Sequence, residues 1–134
     1  MSAKKRILVI EDDLGSLRLI RYTLEREGYQ VLTATNGLEG LRKAQSEELD
    51  LIISDLMLPG IDGFEICHRL RAKPQTAQLP IFILSAVVSE IDNATRLKVG
   101  ADDYINKPWH RLELVTKIAS VLEQKSAVLT PSFR

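Results

Sequence analysis

Only one cysteine, Cys67, stands among the 134 residues, so neither an intrachain disulfide nor a multi-thiolate metal site can form, which implies a reducing compartment. An excess of charge of one sign is also missing. Eighteen Lys and Arg balance 18 Asp and Glu, which gives direct nucleic-acid binding little electrostatic basis. Long apolar runs are absent as well. The longest, Leu79 to Val88, holds Pro80 and Ser85 and cannot span a bilayer. The basic start, Met1 to Arg6, resembles the charged part of a signal peptide, but the apolar run behind it, Ile7 to Ile10, stops at Glu11. What remains, 45% hydrophobic and 27% charged, is globular composition rather than disordered or collagen-like. The expectation is a soluble, cytoplasmic, one-domain protein without a membrane partner, too short for a second catalytic or DNA-binding domain.

Five short apolar runs alternate with longer amphipathic ones. The strand candidates are Lys5–Ile10, Gln30–Ala34, Leu51–Ser54, Pro80–Leu84 and Asp103–Asn106. The first, third and fourth have continuously apolar cores, as strands of a parallel sheet buried on both faces require. The second and fifth are more polar and suit sheet edges. Helical stripes lie between them. Leu14, Leu17, Ile20 and Leu24 form the first, ended by Gly28, and Leu38, Leu41 and Ala44 form the second. Asn36 with Glu39 and Asp62 with Glu65 have the spacing of capping boxes. A third helix carries Phe64, Ile66, Cys67 and Leu70 before Pro74, a weaker fourth runs from about Glu90 to Val99, and a fifth from Arg111 to Gln124 carries Leu112, Val115, Ile118, Ala119 and Leu122. Residues 1–125 thus form one domain and 126–134 a loose tail. Five strictly alternating pairs predict an α/β fold, a doubly wound five-stranded parallel sheet of order 2-1-3-4-5 flanked by five helices. Its ligand crevice lies at the carboxyl ends of the strands, where the order switches between strands one and three.

That rim is where the chemistry-bearing residues fall. Glu11, Asp12 and Asp13 follow the first strand, Asp55 ends the third, Ser85 ends the fourth, and Lys107 ends the fifth before Pro108. Singly each is ordinary; Asp13, for one, reads as a helix N-cap. Together they bring carboxylates, a hydroxyl and an ammonium to one edge. Clustered carboxylates repel unless a cation screens them, and hard oxygen ligands with open positions suit Mg²⁺. The lysine and hydroxyl opposite suit a phosphoryl group.

Four segments carry a resemblance over nearly the whole chain: Ile-Leu-Val-Ile-Glu-Asp at 7–12, Asp-Leu-Met-Leu-Pro-Gly-Ile-Asp-Gly at 55–63, Ile-Leu-Ser-Ala at 83–86, and Gly-Ala-Asp-Asp-Tyr-Ile-Asn-Lys-Pro at 100–108. The sequence resembles the CheY-like receiver domain of two-component response regulators, a flavodoxin-like fold. The resemblance implies that Asp55 accepts a phosphoryl group from a histidine kinase or phosphotransfer protein. It implies that Asp12, Asp55 and the backbone carbonyl of Met57 bind Mg²⁺, or Mn²⁺ in its place, with Glu11 acting largely through water. Lys107 would pair with the acceptor or its phosphate, and the bond before Pro108 would be cis. Ser85 fills the hydroxyl switch position and Tyr104 the aromatic one. On phosphorylation Ser85 would swing toward the phosphate and Tyr104 would turn inward, reshaping a face of helix four, strand five and helix five that meets a downstream target, an output domain or a second copy. Apolar Met57 and Val87 beside the water route would slow hydrolysis. Trp109, where Phe is usual, departs from the pattern without touching the chemistry.

His68 and His110 read as solvated helix residues and Cys67 as a small core residue. A Mg²⁺ phosphatase of the haloacid-dehalogenase type needs a second Asp two residues after the first, where Met57 stands. A flavin-binding module on the same fold needs a phosphate loop after the first strand, where three acidic residues stand. A receiver used only for protein contacts would typically have lost an acidic residue or the lysine, and all are retained.

Overall fold

The computed structural model describes residues 3–129. β1 (Arg6–Ile10), β2 (Gln30–Ala34), β3 (Leu51–Asp55), β4 (Ile81–Ser85) and β5 (Asp103–Asn106) alternate with α1 (Leu14–Arg26), α2 (Gly37–Ser46), α3 (Gly63–Arg71), α4 (Asn93–Val99) and α5 (Arg111–Leu129). The strands pair in parallel in the order β2-β1-β3-β4-β5, as expected.

The apolar strands are buried because each supplies both layers of the core. Ile7 and Val9 of β1, Leu51 and Ile53 of β3, Phe82 and Leu84 of β4 and Ile105 of β5 pack with α1 and α5. Leu8 and Ile10, Ile52, Ile81 and Ile83, and Tyr104 pack on the other face with α2 and α3. Successive side chains point to opposite faces, so a strand buried on both sides keeps polar residues to its end, as with Ser54 and Asp55 in β3. α1, α2 and α3 are capped as their sequences require. Asp13 accepts from the Ser16 N–H at 2.9 Å, Asn36 from Glu39 N–H at 2.8 Å and Asp62 from Glu65 N–H at 2.9 Å. The reciprocal halves of the two capping boxes are not made: Glu39 turns to the Thr35 N–H and Glu65 to Arg69.

Several expected helix details differ. Leu14 and Leu38, placed on buried stripes, are 55% and 54% exposed. Each lies within the first two positions of its helix, where the side chain leans back over the N-terminal edge instead of the sheet. In α5 the buried stripe is Leu114, Ile118 and Leu122, and Leu112 is 73% exposed. Two residues from Leu114 is roughly 200° around a helix, which turns Leu112 outward. The fourth helix begins at Asn93, not near Glu90, because Asp92 caps it by accepting from Thr95 N–H at 2.7 Å. A separate 3₁₀ turn occupies Val88–Glu90. α5 runs on to Leu129, so the first residues of the expected tail 126–134 are helical, and 130–134 lie outside the described residues. No helix among those described is long and apolar enough to cross a membrane.

Candidate functional site

Glu11 leaves β1 with its N–H bound to the Ala34 carbonyl at 3.0 Å and its side chain buried. Burial is possible because both carboxylate oxygens are engaged. Oε1 accepts from Lys107 Nζ at 2.9 Å, and Oε2 from the Asp13 N–H at 3.2 Å. Asp12, next along, is exposed. Asp55 ends β3, 6% exposed, with Oδ2 3.0 Å from Lys107 Nζ. Its Oδ1 has no protein partner among the described residues.

The chain beyond Asp55 is held in a tight return. The Leu56 N–H donates to the Leu84 carbonyl at 2.9 Å, and the Gly63 N–H to the Leu56 carbonyl at 2.8 Å. Gly63 abuts β3 so closely that a Cβ there would lie 2.8 Å from the Asp55 carbonyl oxygen. Between them Met57 is 74% exposed, and its carbonyl, like Oδ1, has no protein partner among the described residues.

Lys107 is carried to the site by β5, its own N–H bound to the Ser85 carbonyl at 2.9 Å, and the Lys107–Pro108 bond is cis. Burial pulls the ammonium's pKa down. The hydrogen bonds to Glu11 and Asp55, with the charges of both carboxylates, outweigh that and hold it above its ordinary value. Carboxylate oxygens of Glu11, Asp12 and Asp55 lie within 4.8 Å of one another. At such separations two like charges cost about 4 kcal/mol at an effective dielectric constant near 20. One lysine offsets one of the three, which leaves the charge of a divalent cation to be supplied. An all-oxygen donor set of carboxylates and a free backbone carbonyl fits Mg²⁺.

Ser85 is buried, and its Oγ accepts from the Val87 N–H at 3.1 Å. Tyr104 is the second residue of β5. Its ring is already turned inward, 8% exposed, with the hydroxyl buried and unpartnered. Burial raises its pKa, the Cys67 thiol adds to the rise, and Arg96 opposes it. Sequence reading passed over two residues here. Gly63 was legible only as part of a turn. Arg96, whose guanidinium carbon lies 5.1 Å from the Tyr104 ring centre, carries no local signal, since it is one more cation on an exposed helix. His68 and His110 are exposed and outside the site; Cys67 is fully buried.

A parallel sheet of this order, with an acidic crevice facing a lysine at its switch point, defines an α/β signalling domain. The chain belongs to the response regulator receiver domain family, whose model matches residues 7–119. It is 42% identical over 128 residues to the alkaline phosphatase synthesis transcriptional regulatory protein PhoP of Bacillus subtilis, covering 96% of this chain and 52% of that protein. It is 41% identical over 130 residues to the phosphate regulon transcriptional regulatory protein PhoB of Rhizobium meliloti, covering 96% and 57%. The chain therefore spans about half the length of the curated relatives it matches. Among solved structures, a response regulator from Chloroflexus aurantiacus superposes with TM-score 0.84 at 33% identity, over 90% of this chain and 99% of that one. The receiver domain of sensor histidine kinase PA1611 from Pseudomonas aeruginosa, with a magnesium ion coordinated in its active site cleft, superposes with TM-score 0.83 at 30% identity, over 90% and 99%. This chain is a receiver domain, the phosphoacceptor module of two-component signalling.

Proposed function

We propose that Asp55 is the phosphoryl acceptor, and that residues 1–125 catalyse their own phosphorylation and dephosphorylation. The observation that carries this reading is the pairing of Asp55 Oδ2 with Lys107, which leaves Oδ1 free at the mouth of the acidic crevice. Oδ1 attacks phosphorus in line; the new O–P bond forms as the P–N bond to a phosphohistidine breaks, and its electron pair stays on the departing imidazole. Geometry and charge stabilisation are needed more than acid–base chemistry. Asp12, Asp55 and the Met57 carbonyl would hold Mg²⁺, with Mn²⁺ as a substitute, while Glu11, already engaged at both oxygens, would act through water. When bound, the metal supplies neutralising charge to the transferring phosphoryl oxygens. Lys107 supplies the same from the protein side.

The donor is a sensor histidine kinase or phosphotransfer protein in the cytoplasm. Phosphorylated Asp55 offers strong acceptor oxygens that draw Ser85 off the Val87 N–H, and the movement passes through residues 86–92 to the face of α4, β5 and α5. Leu97 on α4 and Leu112 on α5, 84% and 73% exposed, suit that face to an output domain or a second copy. Zero net charge leaves nucleic-acid contact to the output partner. Met57 and Val87, 74% and 43% exposed, would flank the route of the hydrolytic water and slow hydrolysis.

Intact mass after incubation with a small phosphodonor and Mg²⁺ tests the acceptor. One phosphate adduct is expected on wild type, not formed when Mg²⁺ is chelated beforehand and absent from Asp55→Ala. A folded wild type without an adduct would replace this reading by a receiver used only for protein contacts.

A further inference from the structure

α4 buries none of its side chains. Half-buried Val99 packs against the core, and polar contacts hold the rest. At its carboxyl end Arg71 Nε donates to the Gly100 carbonyl at 3.1 Å and Cys67 Sγ to the Val99 carbonyl at 3.2 Å. From within the helix, Arg96 reaches back over the segment that follows Ser85. Its Nη2 donates to the Val88 carbonyl at 2.8 Å and its Nε to the Ile91 carbonyl at 3.0 Å. The same guanidinium lies over the Tyr104 ring. One side chain thus joins the 3₁₀ turn, the entry to α4 and the aromatic residue of β5.

We propose that Arg96 is a positioning residue that holds Tyr104 inward before any phosphoryl group arrives. The inward ring is not self-sufficient. Its hydroxyl is buried without a partner, a loss that an outward ring in water would not suffer. The cation over the ring face offsets that loss. The fork of Arg96 on two carbonyls also keeps Val88, buried in the same cluster as Tyr104, packed beneath it. Only a planar guanidinium can grip two carbonyls while lying over a ring, so lysine would keep at most part of the arrangement. In this chain, then, Tyr104 is uncoupled from phosphorylation as long as Arg96 holds it. Removing Arg96 should restore the coupling.

The resting-state part of this inference stands on geometry alone; only the phosphate-dependent part rests on Asp55 as acceptor. The test is nitration by tetranitromethane on the whole chain, mapped by peptide mass. Tyr22, 58% exposed, serves as internal reference, and thermal unfolding reports whether each variant is folded. In wild type, Tyr104 should react slowly with or without a phosphodonor and Mg²⁺. In Arg96→Gln its reactivity relative to Tyr22 should rise about fivefold or more, the lower range of such couplings, and fall again on phosphorylation; Arg96→Lys should lie between. Unchanged Tyr104 reactivity in both folded variants, or a wild-type Tyr104 as reactive as Tyr22, would overturn the proposal. If Arg96→Gln fails to fold, Arg96→Lys decides. Should wild type take no phosphate while Tyr104 is still released in the variant, the acceptor reading fails and the role of Arg96 stands.

Discussion

Lys107 bridges the two carboxylates that matter most, Glu11 at 2.9 Å and Asp55 at 3.0 Å. Its pKa is raised in the folded state despite the opposing effect of burial. The ionised lysine therefore contributes fully below its ordinary value of 10.5, and that contribution fades as pH climbs through the raised one. Denaturant titrations should show wild type losing stability across that alkaline window more steeply than Lys107→Met. At neutral pH the same variant strands the buried Glu11 carboxylate. The penalty for such a group is usually 3–5 kcal/mol, and with Lys107 itself 27% exposed it should come to roughly 2 kcal/mol. Asp12 behaves oppositely. It is exposed and adds only like charge, so Asp12→Ala should leave the metal-free midpoint unchanged or slightly raised. It should also abolish the increase that Mg²⁺ gives wild type, about 2.7 kcal/mol at a hundred times the dissociation constant. A metal-dependent increase of wild-type size in that variant would remove Asp12 from the ligand set.

Between residues and the whole lie the elements, and two joints fix how helices meet the sheet. Asn36 is the sole side-chain cap seen at the start of α2, so Asn36→Ala should cost about 1 kcal/mol by chemical denaturation and Asn36→Gly only a few tenths. Gly63 is tied to function as well as stability. A methyl group there presses on the Asp55 carbonyl oxygen and lies 3.1 Å from Leu56 Cα. Gly63→Ala should therefore cost roughly 1–3 kcal/mol, as overpacking does, and slow phosphorylation as well. A stable variant with wild-type phosphorylation would show that α3 gives way without disturbing the acceptor. Strands were easier to read than helices. Ile7 to Ile10 has only one outcome when every position is apolar. Leu14, Leu38 and Leu112 have the right character for a buried stripe, and only the helix phase and the distance from its first turn decide otherwise.

For the molecule as a whole, the order of the sheet and the site were legible together, since acidic residues and lysine fall after β1, β3 and β5 and the crossover rule brings those ends side by side. What was not legible depends on packing between distant segments. The Ser85 hydroxyl turned to Val87, Tyr104 already inward and Arg96 spanning two carbonyls all follow from how β4, β5 and α4 meet. Inverting a 1:99 population requires about 5.5 kcal/mol, more than one charge-assisted hydrogen bond supplies at roughly 1.5–3 kcal/mol. On the proposed function Ser85, Lys107 and the metal act together, and each single loss should blunt the response without abolishing folding. If the face of α4, β5 and α5 pairs two copies, sedimentation velocity should show phosphorylation-dependent dimers. Leu97→Glu, at a position 84% exposed, should prevent them at no cost to the monomer. An unchanged dimer fraction would place the contact elsewhere. A last consequence follows from a helix that fully buries no side chain. Asn93, Ala94, Leu97 and Lys98 all face solvent and owe nothing to the interior, so drift at these four positions is nearly free. A lineage could exchange one recognition partner for another there while the acidic crevice and the folding of the domain stay as they were.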